Sequence, residues 1–330
     1  MKIGVCGTGS WGTALAQVLC DNGRDVIMYG NQPTEVNEIN ELHKNSRYFS
    51  CDINRNIKAT TDINVLKDVD VILLAVPVMA MESVLNQLKD ILVKKVYVIN
   101  VAKGFYPKND ERLSVMIRDF VGDKAIDVIS LIGPSHAEEV ILRMLTLVNA
   151  VCENDESAEV IQELFANDYF RVYRNNDVVG AEIAAAIKNV MAIASGTLCG
   201  LGQGDNARAA LMTRGLAEMT RFGMFFGGKP ETFLGLNGVG DLIVTCSSVH
   251  SRNFQAGLAI GKADSAKEFL ANNTKTTEGI NTARAVHELA QKYDISMPIS
   301  EEVYKVLYEN KKPSVAIKEL MGRSLKKEYI

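Results

Sequence analysis

The chain opens on an apolar strand, Ile3-Gly-Val-Cys6, that runs straight into Gly7-Thr-Gly9-Ser10-Trp11-Gly12 and then Thr13-Ala-Leu-Ala-Gln-Val-Leu-Cys20. Strand, glycine turn and helix in that order leave few folds open. Gly7 permits the tight turn, Gly9 lets a pyrophosphate approach the backbone, and Gly12 lets the helix pack on the strand. The helix N-terminus then faces the phosphates. Alone the spacing is a weak signal; directly after a first strand it predicts a dinucleotide site.

The strand–helix alternation continues. Residues 25–29, 69–75, 96–101, 127–132, 146–152 and 170–173 read as strands, and 79–88 and 157–165 as helices. Continuous apolar runs suit central strands of a parallel sheet. Ligands in such a sheet sit beyond the strands' carboxyl ends. That rule brings Lys103, Gly133 and Ser135 to the ligand edge. Lys103 reads either as a solvated loop lysine or as a cleft residue. The second strand ends in Gly30-Asn31-Gln32-Pro33, neither acidic nor basic, which leaves NADH against NADPH open. Residues 175–180 read as a hinge.

From Gly180 onward strand patterns nearly vanish. The fold class expected is α/β: a Rossmann-type parallel-sheet domain at 1–178 and an all-α domain at 179–330. Residues 182–195 form an Ala-rich run that is apolar on every face, with Lys188 and Asn189 its strongly polar members. A buried ammonium must be paired, lose its proton or face a cleft; the alternative is a lysine snorkelling to water. Residues 208–223 read as a long helix whose Arg214, Glu218 and Arg221 are spaced for surface ion pairs. Asp241 follows several glycines and reads as a helix cap that can also act in a site. Ser251-Arg252-Asn253 opens another helix. That is either a Ser cap beside a solvated Arg or a phosphate anchor of hydroxyl, amide and guanidinium. Glu278 sits in a capping turn or a cofactor contact.

Composition narrows the class. With 330 residues, 47% apolar and 23% charged, the chain is ordinary for a soluble protein of two domains. A net charge of -4 gives no support for a nucleic-acid binder. No run reads as a membrane span or a signal peptide. The six scattered cysteines read as reduced thiols in the cytoplasm, and the four histidines offer no ligand pair, so no metal is expected.

Taken together, these motifs resemble the NAD(P)-dependent glycerol-3-phosphate dehydrogenase family over nearly the whole chain. The resemblance rests on Gly7-x-Gly9-Ser-Trp11-Gly-Thr-Ala-Leu-Ala16, Ala102-Lys-Gly104, Gly133-Pro-Ser-His-Ala-Glu138, Ala186-Ile-Lys-Asn-Val190, Gly202-Gln-Gly-Asp-Asn206, Thr213-Arg-Gly-Leu-Ala-Glu218, Pro230-Glu-Thr-Phe233, Gly238-Val-Gly-Asp-Leu242 and Ser251-Arg-Asn253. It implies reversible reduction of dihydroxyacetone phosphate to sn-glycerol 3-phosphate for phospholipid synthesis, by a cytoplasmic homodimer using NAD(P)H. By motif match Lys188 is the general acid/base. Gly7, Gly9, Ser10, Trp11, Gly12, Asn31, Tyr48, Lys103, Ala137, Arg252 and Glu278 touch the cofactor. Lys103, Gly133, Ser135, Lys188, Asp241, Ser251, Arg252 and Asn253 line the substrate site. His136 is the rival proton donor. Three departures stand out: Arg143-Met144-Leu145 before Thr146, Ala184-Ala185 for a usual glycine pair, and Asn31 for a usual basic residue. A related dehydrogenase of another hydroxy acid, or a nucleotide-sensing module, are the alternatives.

Overall fold

The structure is a computed structural model that describes residues 1–273, 276–325, 327 and 328. One eight-stranded sheet occupies the first half: β1 (Lys2–Cys6), β2 (Asp25–Tyr29), β3 (Lys58–Thr60), β4 (Val71–Leu74), β5 (Val96–Asn100), β6 (Ala125–Ile132), β7 (Thr146–Val151) and β8 (Phe170–Asn175). Their spatial order is β3-β2-β1-β4-β5-β6-β7-β8. β4 and β5 are central, and all four residues of β4 are buried, which is why its sequence is uninterrupted apolar.

The parallel-sheet expectation fails at one pair. β7 runs antiparallel to β6, with Leu131 opposite Ala150, and then parallel to β8. Only a one-turn helix, Ala137–Val140, links β6 to β7 in place of a full crossover helix, so the chain turns back. The unusual Arg143 lies in that link. It adopts a left-handed backbone (φ 60°) and makes a two-pronged ion pair with Asp21, at 2.8 and 3.0 Å. The link is thereby clamped to the C-terminal end of helix Ser10–Asp21.

The second half is helical and is built around Val178–Gly200, which is buried on nearly every face. Asp177 caps it, accepting the Gly180 N–H at 2.9 Å, so the residues read as a hinge carry an anchored helix start. By length and composition this helix could cross a membrane, but 83% of its apolar window is packed inside the protein. Its partner, Arg252–Ala263, crosses it in backbone contact: a Cβ on Gly257 would stand 1.9 Å from the Ile193 carbonyl, and one on Gly196 2.0 Å from that of Phe254. Glu218 of helix Asp205–Phe225 does not make the expected surface pairs. It points inward and accepts the N–H groups of Ile299 (2.7 Å) and Ser300 (3.2 Å) at the start of helix Pro298–Tyr308. Burial, only partly offset by those bonds, pushes its carboxyl up to about 7.

Candidate active site

A cleft of about 590 Å³ runs from the glycine turn, past the ends of β4 and β5, to the helices of the second half. The turn is shaped by sterics. Gly7 has φ +115°, and a Cβ there would meet the Ala75 carbonyl at 2.5 Å. Gly9 is different: no protein atom lies within 4 Å of where its Cβ would stand, so packing does not demand glycine. What the missing side chain leaves clear is an approach to the backbone from the cleft. Gly9 provides no side-chain cap for helix Ser10–Asp21, whose first N–H groups are thus available to an anion. These features fit the diphosphate of a dinucleotide. Ser10, Trp11, Asn31, Tyr48, Ala137 and Glu278 line the same cleft. Glu278 reaches across from the second half to accept the Val78 N–H at 3.4 Å. Its burial raises its pKa, against the pull of that bond and of Arg252.

At the inner end sits an ionic triad. Asp241 is 1% exposed and holds two ammoniums at 2.8 Å each, Lys188 on one oxygen and Lys103 on the other. Lys188 also donates to the Thr245 hydroxyl at 2.6 Å, and that hydroxyl donates to the Asp241 carbonyl at 2.6 Å. Lys103 donates its remaining short contact to the Gly133 carbonyl, at 3.1 Å. Burial is the largest influence on Lys188 and brings its pKa down to about 8; Asp241 opposes the shift and Lys103 adds to it. Burial alone would raise Asp241, but the two lysines outweigh it and hold the carboxyl below its usual value. An amine of this kind can give or take a proton near neutral pH.

The phosphate-anchor candidates lie beside the triad. Ser251 caps helix Arg252–Ala263 by accepting the Phe254 N–H at 3.2 Å, which leaves its hydroxyl proton free to donate. Asn253 accepts the Gly279 N–H at 2.9 Å and donates to Asn189 at 3.0 Å. Arg252 is exposed into the cleft. His136 and His250 stand with ring centroids 5.8 Å apart on the same wall. Burial, partly countered by the Val244 carbonyl, lowers the pKa of His136.

Most of the residues singled out from sequence therefore converge. Gly12, Gly133 and Asp241 stand behind the cleft wall: Gly12 against the Gly7 carbonyl, Gly133 against β7, and Asp241 beneath the lysines. Sequence reasoning missed Thr245, Thr8, Glu35, Arg47 and His250, which all line the cleft. Thr245 could have been found from its four-residue spacing after Asp241; the others carry no such signal. Among the described residues no cluster of three metal-ligating side chains occurs.

Two family profiles match the chain. "NAD-dependent glycerol-3-phosphate dehydrogenase N-terminus" covers residues 2–158, and "NAD-dependent glycerol-3-phosphate dehydrogenase C-terminus" covers 177–318. The chain is 47% identical to glycerol-3-phosphate dehydrogenase (NAD(P)+) of Enterococcus faecalis, with 99% of this chain and 97% of that relative covered. Against the protein of that description from Bacillus cereus the identity is 48%, with the same coverage. A crystal structure of glycerol-3-phosphate dehydrogenase from Coxiella burnetii superposes with a TM-score of 0.91 at 37% identity, covering 98% of this chain and 99% of that one.

Proposed function

Because the chain belongs to the NAD-dependent glycerol-3-phosphate dehydrogenase family, we propose that it reduces dihydroxyacetone phosphate to sn-glycerol 3-phosphate, reversibly, with Lys188 as general acid and base. The observation that carries this reading is the buried Asp241 carboxylate shared by Lys103 and Lys188 at the inner end of the dinucleotide cleft. When bound, NAD(P)H supplies the hydride. The residues of the chain do the rest.

Charge builds on the carbonyl oxygen as the carbonyl carbon is reduced. Lys188, fixed by Asp241 and Thr245, stabilises that charge and delivers the proton to the oxygen. In the oxidative direction its neutral amine takes the proton back. Lys103 is the second cation at the oxygen; Gly133 and Asp241 orient it. Arg252, with the Ser251 hydroxyl, Asn253 and Ser135, anchors the substrate phosphate as a remote handle that positions the carbonyl. Gly7, Gly9, Ser10, Trp11 and Gly12 cradle the diphosphate, Asn31 and Tyr48 the adenosine end, and Ala137, Arg252 and Glu278 the nicotinamide end. In this reading residues 1–178 form the cofactor lobe and 179–330 the substrate lobe.

The product suits the backbone of glycerophospholipids, and six free cysteines suit a reducing cytoplasm. A homodimer is our reading of the quaternary state, supported by exposed Met224, Phe225, Leu234 and Ile243 on the helical half; sedimentation would test it. The test of the chemistry is loss of nicotinamide absorbance dependent on dihydroxyacetone phosphate. Lys188→Ala should lower kcat by a factor of about 100 to 1,000 while circular dichroism and cofactor binding are retained. Substantial turnover by that variant overturns the assignment. Arg252→Ala should raise KM for dihydroxyacetone phosphate strongly; an unchanged KM would point to a substrate without phosphate.

A further inference from the structure

The adenosine end of the cleft holds a charge arrangement that the strand pattern does not explain. In sheets of this type an acid at the end of the second strand binds the ribose diol of NAD, and an arginine there accepts the 2′-phosphate of NADP. Here β2 ends in Tyr29 and is followed by Gly30, Asn31 and Gln32, none of them charged. Gly30 has no room for a side chain, since a Cβ would stand 2.4 Å from the Thr8 methyl.

Two charged residues from elsewhere enter this corner. Glu35 comes from the short helix Pro33–Asn37, and Arg47 from the loop that also carries Tyr48; both line the cleft with Asn31 and Gln32. Glu35 is fixed to the glycine turn, accepting the Thr8 hydroxyl at 2.7 Å on one oxygen, and accepts Arg47 at 2.8 Å on the other. The Glu35 side chain is only 9% exposed, whereas that of Arg47 is 65% exposed. Both Glu35 oxygens are engaged inside the wall, and its charge is met by Arg47, so it is poorly placed to take a ribose diol. Arg47 spends one N–H on Glu35 and keeps the others of its planar fork, a shape that matches phosphate.

We propose that Arg47, braced by Glu35, receives the 2′-phosphate and makes this chain prefer NADPH to NADH. The inference rests on the reading of this cleft as the NAD(P) site. Glu35 is a positioning residue: it fixes the guanidinium over the corner and contributes no contact to the phosphate. Asn31, uncharged at the strand's end, is left to the ribose hydroxyls.

The experiment titrates NADPH and NADH binding by fluorescence, and measures kcat/KM with each, in the wild type, Arg47→Ala, Arg47→Lys and Glu35→Gln. The wild type should favour NADPH by about tenfold or more. Arg47→Ala should weaken NADPH alone, by about 10- to 100-fold, the range of a lost charged hydrogen bond. Arg47→Lys should recover part of the loss, and Glu35→Gln should raise KM for NADPH while leaving that for NADH in place. Competition by adenosine 2′,5′-bisphosphate against ADP should show the same dependence on Arg47 without any turnover. Equal use of both cofactors by the wild type, or an equal loss of both in Arg47→Ala, overturns the inference. Arg47-dependent discrimination without turnover of dihydroxyacetone phosphate would support the inference and sink the proposed reaction instead.

Discussion

The proposed role of Lys188 as acid and base draws on the opposition between its burial and its pairing. Desolvation favours the neutral amine, Asp241 favours the ammonium, and the balance falls at about 8. The sign of the pH dependence follows. With Lys188 as the proposed proton donor, reduction needs the ammonium, so its kcat should be flat below about 8 and fall about tenfold per pH unit above it. Oxidation needs the amine and should rise through the same range. Paired profiles of the forward and reverse rates check this, and parallel limbs would contradict it. Asp241→Asn strips the counter-charge from two ammoniums. The acid limb of oxidation should then move to lower pH, because Lys103 would still disfavour the charged form of Lys188. Breaking so buried a pair should also cost about 3–5 kcal/mol of stability in urea unfolding.

At the scale of elements, the segment proposed as the phosphate anchor is placed by glycine. Helices Val178–Gly200 and Arg252–Ala263 meet through Gly196 and Gly200 on one side and Gly257 and Gly261 on the other, and each of the four would clash with facing backbone if it carried a Cβ. Gly257→Ala should therefore force the helices apart, destabilise by about 1–3 kcal/mol, and raise KM for dihydroxyacetone phosphate through movement of Ser251–Asn253. An unchanged KM would mean the anchor is held by other contacts. None of this crossing was legible in the sequence: glycines four apart inside a helix look like local weakness until the partner backbone is known. The strands were legible because central parallel strands must be apolar throughout. β3 and helix Leu113–Val121 were not read, the first for its three-residue length and the second although Leu113, Met116, Ile117 and Val121 fall on one buried face. Lys188 and Asp241 each stood out as polar groups in apolar or glycine-rich settings, but their pairing depends on a fold that brings distant segments together.

Across the whole molecule, the lysine helix belongs to both halves. Glu182, buried on it, accepts the hydroxyls of Ser130 on β6 (2.7 Å) and Ser114 (2.8 Å), with Arg112 at 3.3 Å. Val178, Ala181 and Ala185 pack with Ile132 and Val151 of the sheet. The halves should therefore unfold together in urea. The single tryptophan, Trp11, reports the sheet half, and far-ultraviolet circular dichroism is dominated by the helical half; their transitions should coincide. Glu182→Ala should separate them. Asp241 draws a wider consequence from the same architecture. Lys103 arrives from the end of a strand and Lys188 from a helix, and one carboxylate clasps both. Severed at the junction, neither piece would carry all three members of the triad. Turnover regained on mixing the two pieces would serve as a direct readout of their correct reassembly.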